Sequence, residues 1–266
     1  MNILSYNVRG LGRRVKWPTI RRLVRKHNID LLCLLEMKKE QIDNTMCQAL
    51  WGNPDVNWEL QLAVNIAGGL LCIWSEKSFK VERKVSGRGF ILLEEVWIGE
   101  DHKLIIANIY ALCDPSSKRA LWESLKQLKN LNPTGLWCLL GYFNNVRNPA
   151  ERVGLSQRGA EDKIVSEFNE WIEDLEVVEP PWVGRNYTWF RPNGTSKSKL
   201  DRALVSPDWF TKWPTSTQFI LDRNFSDHCS VLLKSKNMDW GPKPFRILDC
   251  WLKDSSFEKT ISECWS

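Results

Sequence analysis

The sequence predicts an α/β protein: one domain of sheets covered by helices. Two observations carry that prediction. Short apolar runs bounded by turn residues alternate along the chain with longer segments of helical periodicity. The composition, 43% hydrophobic and 26% charged over 266 residues, is that of a globular chain able to bury one large core or two small ones. No internal repeat is present.

The elements follow in order. Asn2 to Asn7 reads as a first strand, and an Arg-Gly-Leu-Gly-Arg-Arg turn follows it. Pro18 opens a helix at a favoured first-turn position, with Ile20, Leu23, Val24 and His27 at helical spacing. His27 on that stripe reads as a packed or half-exposed residue rather than a ligand. Ile29 to Leu35 is a second strand, Glu36 stands at its C-terminal end, and Lys39 to Leu50 reads as a helix. Trp58 to Val64, Gly68 to Trp74, Phe79 to Val85 and Phe90 to Ile98 resemble an antiparallel meander, and Lys103 to Tyr110 is a further strand. Asp114-Pro115 starts a helix carried by Ala120, Leu121, Leu125, Leu128 and Leu131. Leu136 to Leu140 is uncharged and apolar, which suits a strand buried on both faces. Gly141 is expected to break it, with Asn144 and Asn145 beyond. Arg147 to Gly159 reads as a polar loop, and Ala160 to Leu175 as a helix with Ile164, Phe168, Trp171, Ile172 and Leu175 on one face. After Pro180-Pro181, strands are expected at Tyr187 to Phe190, Lys199 to Val205, Thr217 to Asp222 and Cys229 to Lys234, with a short helix from Pro207. The expected organisation is one domain over residues 1–236 and a C-terminal arm over 237–266 beginning near Gly241-Pro-Lys-Pro.

Composition narrows the function classes. No apolar run could span a bilayer, and Met1 leads straight into a mixed strand without a signal-peptide pattern, so an intracellular, non-secreted protein is expected. The eight cysteines form no Cys-x-x-Cys pair and no Cys/His cluster, and read as reduced buried hydrophobes. Fifteen tryptophans exceed ordinary use; part of them should be core and part should line a binding surface. The net charge of +5 decides little, but its distribution is informative. Arg9, Arg13, Arg14, Lys16, Arg21, Arg22, Arg25 and Lys26 form a block without an acid, which reads equally as a polyanion-binding surface or a solvated helix face.

Polar residues gather at the expected strand ends: Asn7, Glu36, Tyr110, Asn144, Thr188, Asp201, Ser226, Asp227 and His228. Such ends are where a rigid scaffold holds reactive side chains. Magnesium takes oxygen ligands and keeps waters, so one or two carboxylates suffice for it. Phosphodiester hydrolysis needs an oriented water, neutralised phosphate charge and help for the leaving oxygen, and this inventory fits.

Seven motifs occur in one order: Ser5-Tyr6-Asn7-Val8-Arg9-Gly10, Leu35-Glu36-Met37-Lys38, Asn108-Ile109-Tyr110-Ala111, Gly141-Tyr142-Phe143-Asn144, Tyr187-Thr188-Trp189, Ser198-Lys199-Leu200-Asp201-Arg202 and Ser226-Asp227-His228. In them the chain resembles the endonuclease/exonuclease/phosphatase superfamily, the fold of DNase I and the apurinic/apyrimidinic endonucleases. More narrowly it resembles the endonuclease domain of plant LINE-type retrotransposons. The resemblance implies a four-layered α/β sandwich, two packed mixed sheets flanked by helices, with the site at one edge. It implies that Glu36 holds an essential magnesium, for which manganese could substitute, with Asn7 beside it and Asp227 at the same or a second metal position. Tyr110 and Asn144 would contact the scissile phosphate. His228, oriented by Asp201, would donate to a phosphate oxygen. Thr188 and Ser226 would support phosphate, and Arg9, Arg13 and Arg14 would contact nucleic acid. The implied partner is DNA, with nuclear access, no membrane and no obligate protein partner.

At one position the chain departs from this pattern. The family motif Gly-Asp-Phe-Asn reads Gly141-Tyr142-Phe143-Asn144 here. A carboxylate, with a pKa of about 4, is ionised at neutral pH, whereas a phenol, at about 10, is not. Tyr142 cannot replace that base, and its ring is larger. Three readings follow: a magnesium-dependent DNA endonuclease weakened or inactivated by Tyr142, a non-catalytic nucleic-acid-binding remnant, and a phosphatase of the same superfamily.

Overall fold

A computed structural model describes residues 1–12, 14–39, 41–62, 68–98, 100, 102–154, 159–235 and 256–257. Arg13 and all but two residues of the expected arm at 237–266 lie outside them, as does the side chain of Arg14.

Strands β1 (Asn2–Asn7), β2 (Leu31–Leu35), β3 (Val56–Gln61) and β4 (Leu70–Ser75) precede β5 (Phe79–Gly87), β6 (Phe90–Trp97), β7 (His102–Tyr110) and β8 (Leu136–Tyr142). The short β9 (Arg152–Val153), β10 (Trp182–Gly184), β11 (Trp189–Phe190) and β12 (Lys197–Ser198) follow, then β13 (Asp201–Val205), β14 (Thr217–Ile220) and β15 (Val231–Lys234). The helices are α1 (Trp17–His27), α2 (Asn44–Trp51), α3 (Pro115–Leu131), α4 (Gly159–Asp174) and α5 (Pro207–Lys212). A seven-stranded sheet runs β10-β14-β15-β1-β2-β4-β3, a five-stranded sheet runs β13-β8-β7-β6-β5, and β11-β12-β9 form a small third sheet.

The layers follow from strand periodicity, because alternate side chains point to opposite faces. Leu31, Cys33 and Leu35 of β2 and Leu70, Cys72 and Trp74 of β4 join Leu104 and Ile106 of β7 and Cys138 and Leu140 of β8 in a core between the two large sheets. The intervening Leu32, Leu34, Leu71 and Ile73 turn outward onto Ile20, Leu23 and Val24 of α1 and Met46, Cys47 and Leu50 of α2. On the other side, Ile105, Ala107, Trp137 and Leu139 meet Leu121, Trp122 and Leu125 of α3 and Phe168, Trp171 and Ile172 of α4. The result is a four-layered α/β sandwich: helices, sheet, sheet, helices. Asn108, facing inward, crosses the central layer and donates to the Leu34 carbonyl at 3.4 Å.

Three expectations are corrected. The meander is divided: β3 and β4 pair within the seven-stranded sheet, and only β5, β6 and β7 form an antiparallel run in the other. Gly141 does not end β8, which continues to Tyr142 because β13 pairs along it as far as Asp201. The second helix begins at Asn44 rather than Lys39, where the Asp43 carboxylate accepts the Met46 N–H at 2.7 Å and sets the cap. Cysteines 33, 47, 72, 138 and 229 are buried, while Cys113 is exposed.

Glu95 of β6 points into the central layer. Glu95 is fully buried, and among the described residues neither carboxylate oxygen has a hydrogen-bond partner. Burial, then the neighbouring Cys72, holds its pKa well above the ordinary value, so the folded state keeps Glu95 neutral. Above the unfolded-state pKa the unfolded chain ionises and the folded chain does not, so this residue destabilises increasingly as pH rises towards the folded pKa. Glu95→Leu is expected to raise the thermal midpoint. Denaturant titrations of both proteins should show the gain growing by roughly 1 kcal/mol per pH unit above pH 5. A gain independent of pH contradicts a neutral buried carboxyl.

Candidate active site

Strand direction brings the polar ends together. β1 and β2 are parallel neighbours, with Asn7 opposite Leu35, so Asn7 and Glu36 emerge side by side at their C-terminal ends. β7 and β8 are parallel with Tyr110 opposite Tyr142, and antiparallel β13 sets Asp201 opposite Tyr142. Tyr110, Tyr142 and Asp201 therefore form one row across the rim of the five-stranded sheet. A cleft of about 420 Å³ opens between the two rims, lined in part by Arg9, Glu36, Lys38, Tyr142, Asn144 and His228. Clefts at the carboxyl ends of strands are recurrent ligand sites in α/β folds.

His228 bridges the rims. Its Nδ1 lies 2.8 Å from Asp201 Oδ2, and both residues are buried. Thr188 fixes the acid: its Oγ1 accepts the backbone N–H groups of Leu200 and Asp201, each at 2.9 Å. Ser226 fixes the imidazole: its Oγ donates to the Asn7 carbonyl at 2.7 Å and accepts the His228 N–H at 3.1 Å. Burial by itself lowers the pKa of His228, but the carboxylate of Asp201, followed by Asp227 and Glu36, outweighs it and holds the pKa above the ordinary value.

Glu36 is largely buried and sits in the left-handed region, at φ 52°. Its Oε1 accepts from Asn7 Nδ2 at 2.9 Å and from the Tyr110 hydroxyl at 3.2 Å. Oε2 faces two cations, Arg9 Nε at 3.8 Å and Lys38 Nζ at 3.9 Å. The Arg9 guanidinium also donates to Asp227 Oδ2, which accepts from Trp189 Nε1 at 3.1 Å as well. Asp227 Oδ1 is buried and has no hydrogen-bond partner among the described residues. Arg9, Lys38 and Asn144 share the left-handed backbone of Glu36, with φ 45°, 49° and 51°. Four such residues at one cleft are local strain of a kind that concentrates at functional sites.

Tyr142 lines the cleft between Tyr110 and His228. Its ring lies 5.4 Å from that of Tyr110 and meets the His228 imidazole edge-on at 5.2 Å. Burial, then the charge of Asp201, pushes its phenol pKa far above the ordinary value, so the hydroxyl stays protonated. Gly141 makes this turn possible. At φ +137° it packs so closely on β7 that a Cβ would lie 2.2 Å from the Ile109 carbonyl oxygen. Asn144 follows, with its carbonyl held by Lys118 Nζ at 2.6 Å.

Glu36, Tyr110, Tyr142, Asn144 and His228 line the cleft, and Asn7, Asp201, Asp227, Thr188 and Ser226 stand behind the lining, tied in by hydrogen bonds. The basic block divides. Arg9 enters the site, Lys16 folds back onto the Val8 and Gly10 carbonyls at 2.8 Å each, and Arg22, Arg25 and Lys26 are exposed on the outer helix layer. Lys38, two residues beyond Glu36, and Trp189 also line the cleft, although the motifs that contain them imply no role for either. Cys113 and Arg152 also line the cleft and lie outside every motif.

Among the described residues, no group of three or more His, Cys, Asp or Glu side chains gathers as it would to hold a metal ion by itself. Glu36 and Asp227 offer two carboxylates, one with an unpartnered oxygen, next to an amide. That donor set fits a hard cation that retains waters, such as magnesium.

The model of the Endonuclease/Exonuclease/phosphatase family matches residues 4–228. The chain belongs to this family. No curated protein matches it. Among solved structures, the AP endonuclease LMAP from Leishmania major superposes with a TM-score of 0.69 at 14% identity, covering 87% of this chain and 86% of that one. The endonuclease domain of TRAS1, a telomere-specific non-LTR retrotransposon, gives 0.63 at 10% identity, with 89% and 99% covered. A Bacteroides thetaiotaomicron mannosyl-6-phosphatase gives 0.62 at 16% identity, with 88% and 98% covered. At these identities the likeness establishes the DNase I-like fold. Among the described residues no helix is long and apolar enough to cross a membrane.

The Asp201–His228 pair has a measurable consequence. Because the imidazole pKa is raised, the stability it contributes is complete below the unfolded-state value near 6.5 and is lost as pH rises through the folded value. In the metal-free protein, Asp201→Asn is expected to lower the His228 titration midpoint, followed by NMR of the ring protons. An unchanged midpoint contradicts the assignment of Asp201 as the dominant stabilising charge.

Proposed function

We propose that this chain is the endonuclease domain of a LINE-type retroelement of plant type, built to hydrolyse a DNA phosphodiester with magnesium, and that Tyr142 leaves it weak or inactive. The observation that carries the reading is the position of the Tyr142 ring, between Tyr110 and His228 and level with Asp201. That is where a water would have to meet the phosphorus. Glu36 and Asp227 would hold the cation, with Asn7 beside them. Bound there, magnesium would neutralise phosphate charge and polarise the P–O bond. Tyr110 and Asn144 face the same space as phosphate contacts. His228, kept protonated to higher pH by Asp201, is a donor to a phosphate oxygen. Thr188 and Ser226 set the positions of Asp201 and His228. Arg9, with Arg13 and Arg14, supplies positive charge towards the DNA.

The phenol fails as a substitute for two reasons. Kept neutral by burial and by nearby carboxylates, it cannot accept a proton from water. The same raised pKa rules it out as an attacking phenolate. Loss of a general base costs ~10²–10⁴-fold. The retroelement reading is supported by the order of the seven motifs and by the likeness to the TRAS1 domain. The partner is DNA and the working compartment the nucleus.

Nicking of supercoiled plasmid in magnesium tests this. Tyr142→Asp is expected to nick at least about 10²-fold faster than the natural chain. Equal rates overturn the role given to Tyr142. Salt-dependent DNA binding without cleavage by either form would mark a binding remnant instead. Phosphate release from sugar phosphates without nicking would favour the phosphatase class.

A further inference from the structure

Arg9 is the least ordinary feature of the cleft. A guanidinium directed at solvent would suit a phosphate contact, yet this one is turned inward. It donates to Asp227 Oδ2 and lies 3.8 Å from Glu36 Oε2, spanning the two carboxylates offered to a cation. Its own backbone N–H donates to Asn7 Oδ1 at 3.2 Å, and its φ of 45° is held against the cost of a left-handed conformation. With Lys38 3.9 Å from Glu36, the local charge already sums to zero, two cations on two carboxylates. Yet Arg9 is not locked in place. Nearly half of its side chain is exposed (46%), against 10% for each carboxylate partner. The planar five-donor fork that spans carboxylates is equally suited to a phosphate.

We infer that Arg9 is an exchangeable internal counter-ion: it occupies the Glu36–Asp227 pair until a phosphodiester draws it away, so that divalent cation and phosphate bind cooperatively. The inference rests on the proposed metal site. Two ligands that each favour the same displaced position of Arg9 must raise one another's affinity by the same factor. A divalent ion alone has to compete with a guanidinium already neutralising its ligands. A phosphodiester offers the guanidinium another partner and leaves both carboxylates free. The device would suppress cation loading until DNA is present.

Electron paramagnetic resonance of free Mn²⁺ measures cation affinity directly, without any turnover. Arg9→Gln is expected to bind Mn²⁺ at least about tenfold more tightly than the natural chain, with Arg9→Lys between them. Dimethyl phosphate at tens of millimolar, compared with sodium chloride of equal ionic strength, should tighten Mn²⁺ binding to the natural chain and leave Arg9→Gln unchanged. Thermal melts of each variant verify folding; if Arg9→Gln does not fold, the dimethyl phosphate effect on the natural chain decides. Equal or weaker Mn²⁺ binding by folded Arg9→Gln, or no phosphate effect on the natural chain, overturns the inference. Glu36→Gln separates this from failure of the metal site itself: if Mn²⁺ binds Glu36→Gln as well as the natural chain, the site is wrong and the exchange falls with it.

Discussion

The hydrogen bond between Asp201 and His228 joins the two sheets of the sandwich at their rim. Asp201 begins a strand of the five-stranded sheet, and His228 precedes the last strand of the seven-stranded one. Both partners are buried, and each is fixed by a hydroxyl residue that satisfies neighbouring backbone groups. The geometry of the cleft depends on this bridge. Tyr110 also reaches across to Glu36 and Asn108 to the Leu34 carbonyl, but among the described residues only the Asp201–His228 bond ties the imidazole to the rim of the five-stranded sheet and sets its aim. With it, an imidazole, two tyrosines and the Glu36 carboxylate face one volume.

That volume is electrostatically unusual. The carboxylates of Glu36, Asp201 and Asp227 come from both sheet rims, and the neutral ring of Tyr142 lies between Tyr110 and His228. The carboxylates are held by different means: Asp201 by an imidazole, Glu36 by an amide, a phenol and two cations, Asp227 by a guanidinium and an indole. Each arrangement leaves the cleft near neutrality without a bound ion. The nearby negative charge also keeps the phenols of Tyr110 and Tyr142 protonated, adding to the effect of burial. The Tyr142 ring packs against Tyr110 and His228, and its hydroxyl stays protonated.

Much of this was legible in the sequence because it follows from periodicity and from strand ends. The unbroken apolar runs Leu31–Leu35 and Leu70–Ser75 mark strands covered on both faces, and the polar residues that follow such runs gather at or just behind the cleft. The division of the expected meander was not legible. Nothing between Ser75 and Phe79 announces that the chain leaves one sheet for the other; that depends on which edge each strand finds. The continuation of β8 through Gly141 was hidden for a similar reason, since a glycine that ends an isolated strand can be held in a paired one. The two-residue strands β9, β11 and β12 have too few side chains to show a period. The inward turn of Arg9 onto Asp227 was beyond reach as well, because those residues are 218 positions apart and both also fit roles on the surface.

The side chains gathered at these strand ends are proposed to form one cation-and-phosphate cleft with a phenol between them. Anomalous diffraction from crystals of the chain grown with manganese and a short DNA duplex tests it most directly. The account predicts a single strong anomalous peak between the carboxylates of Glu36 and Asp227, a backbone phosphate within reach of His228 and Asn144, and the Tyr142 ring still between them. A manganese peak remote from Glu36, or DNA bound on a face away from His228, would contradict it.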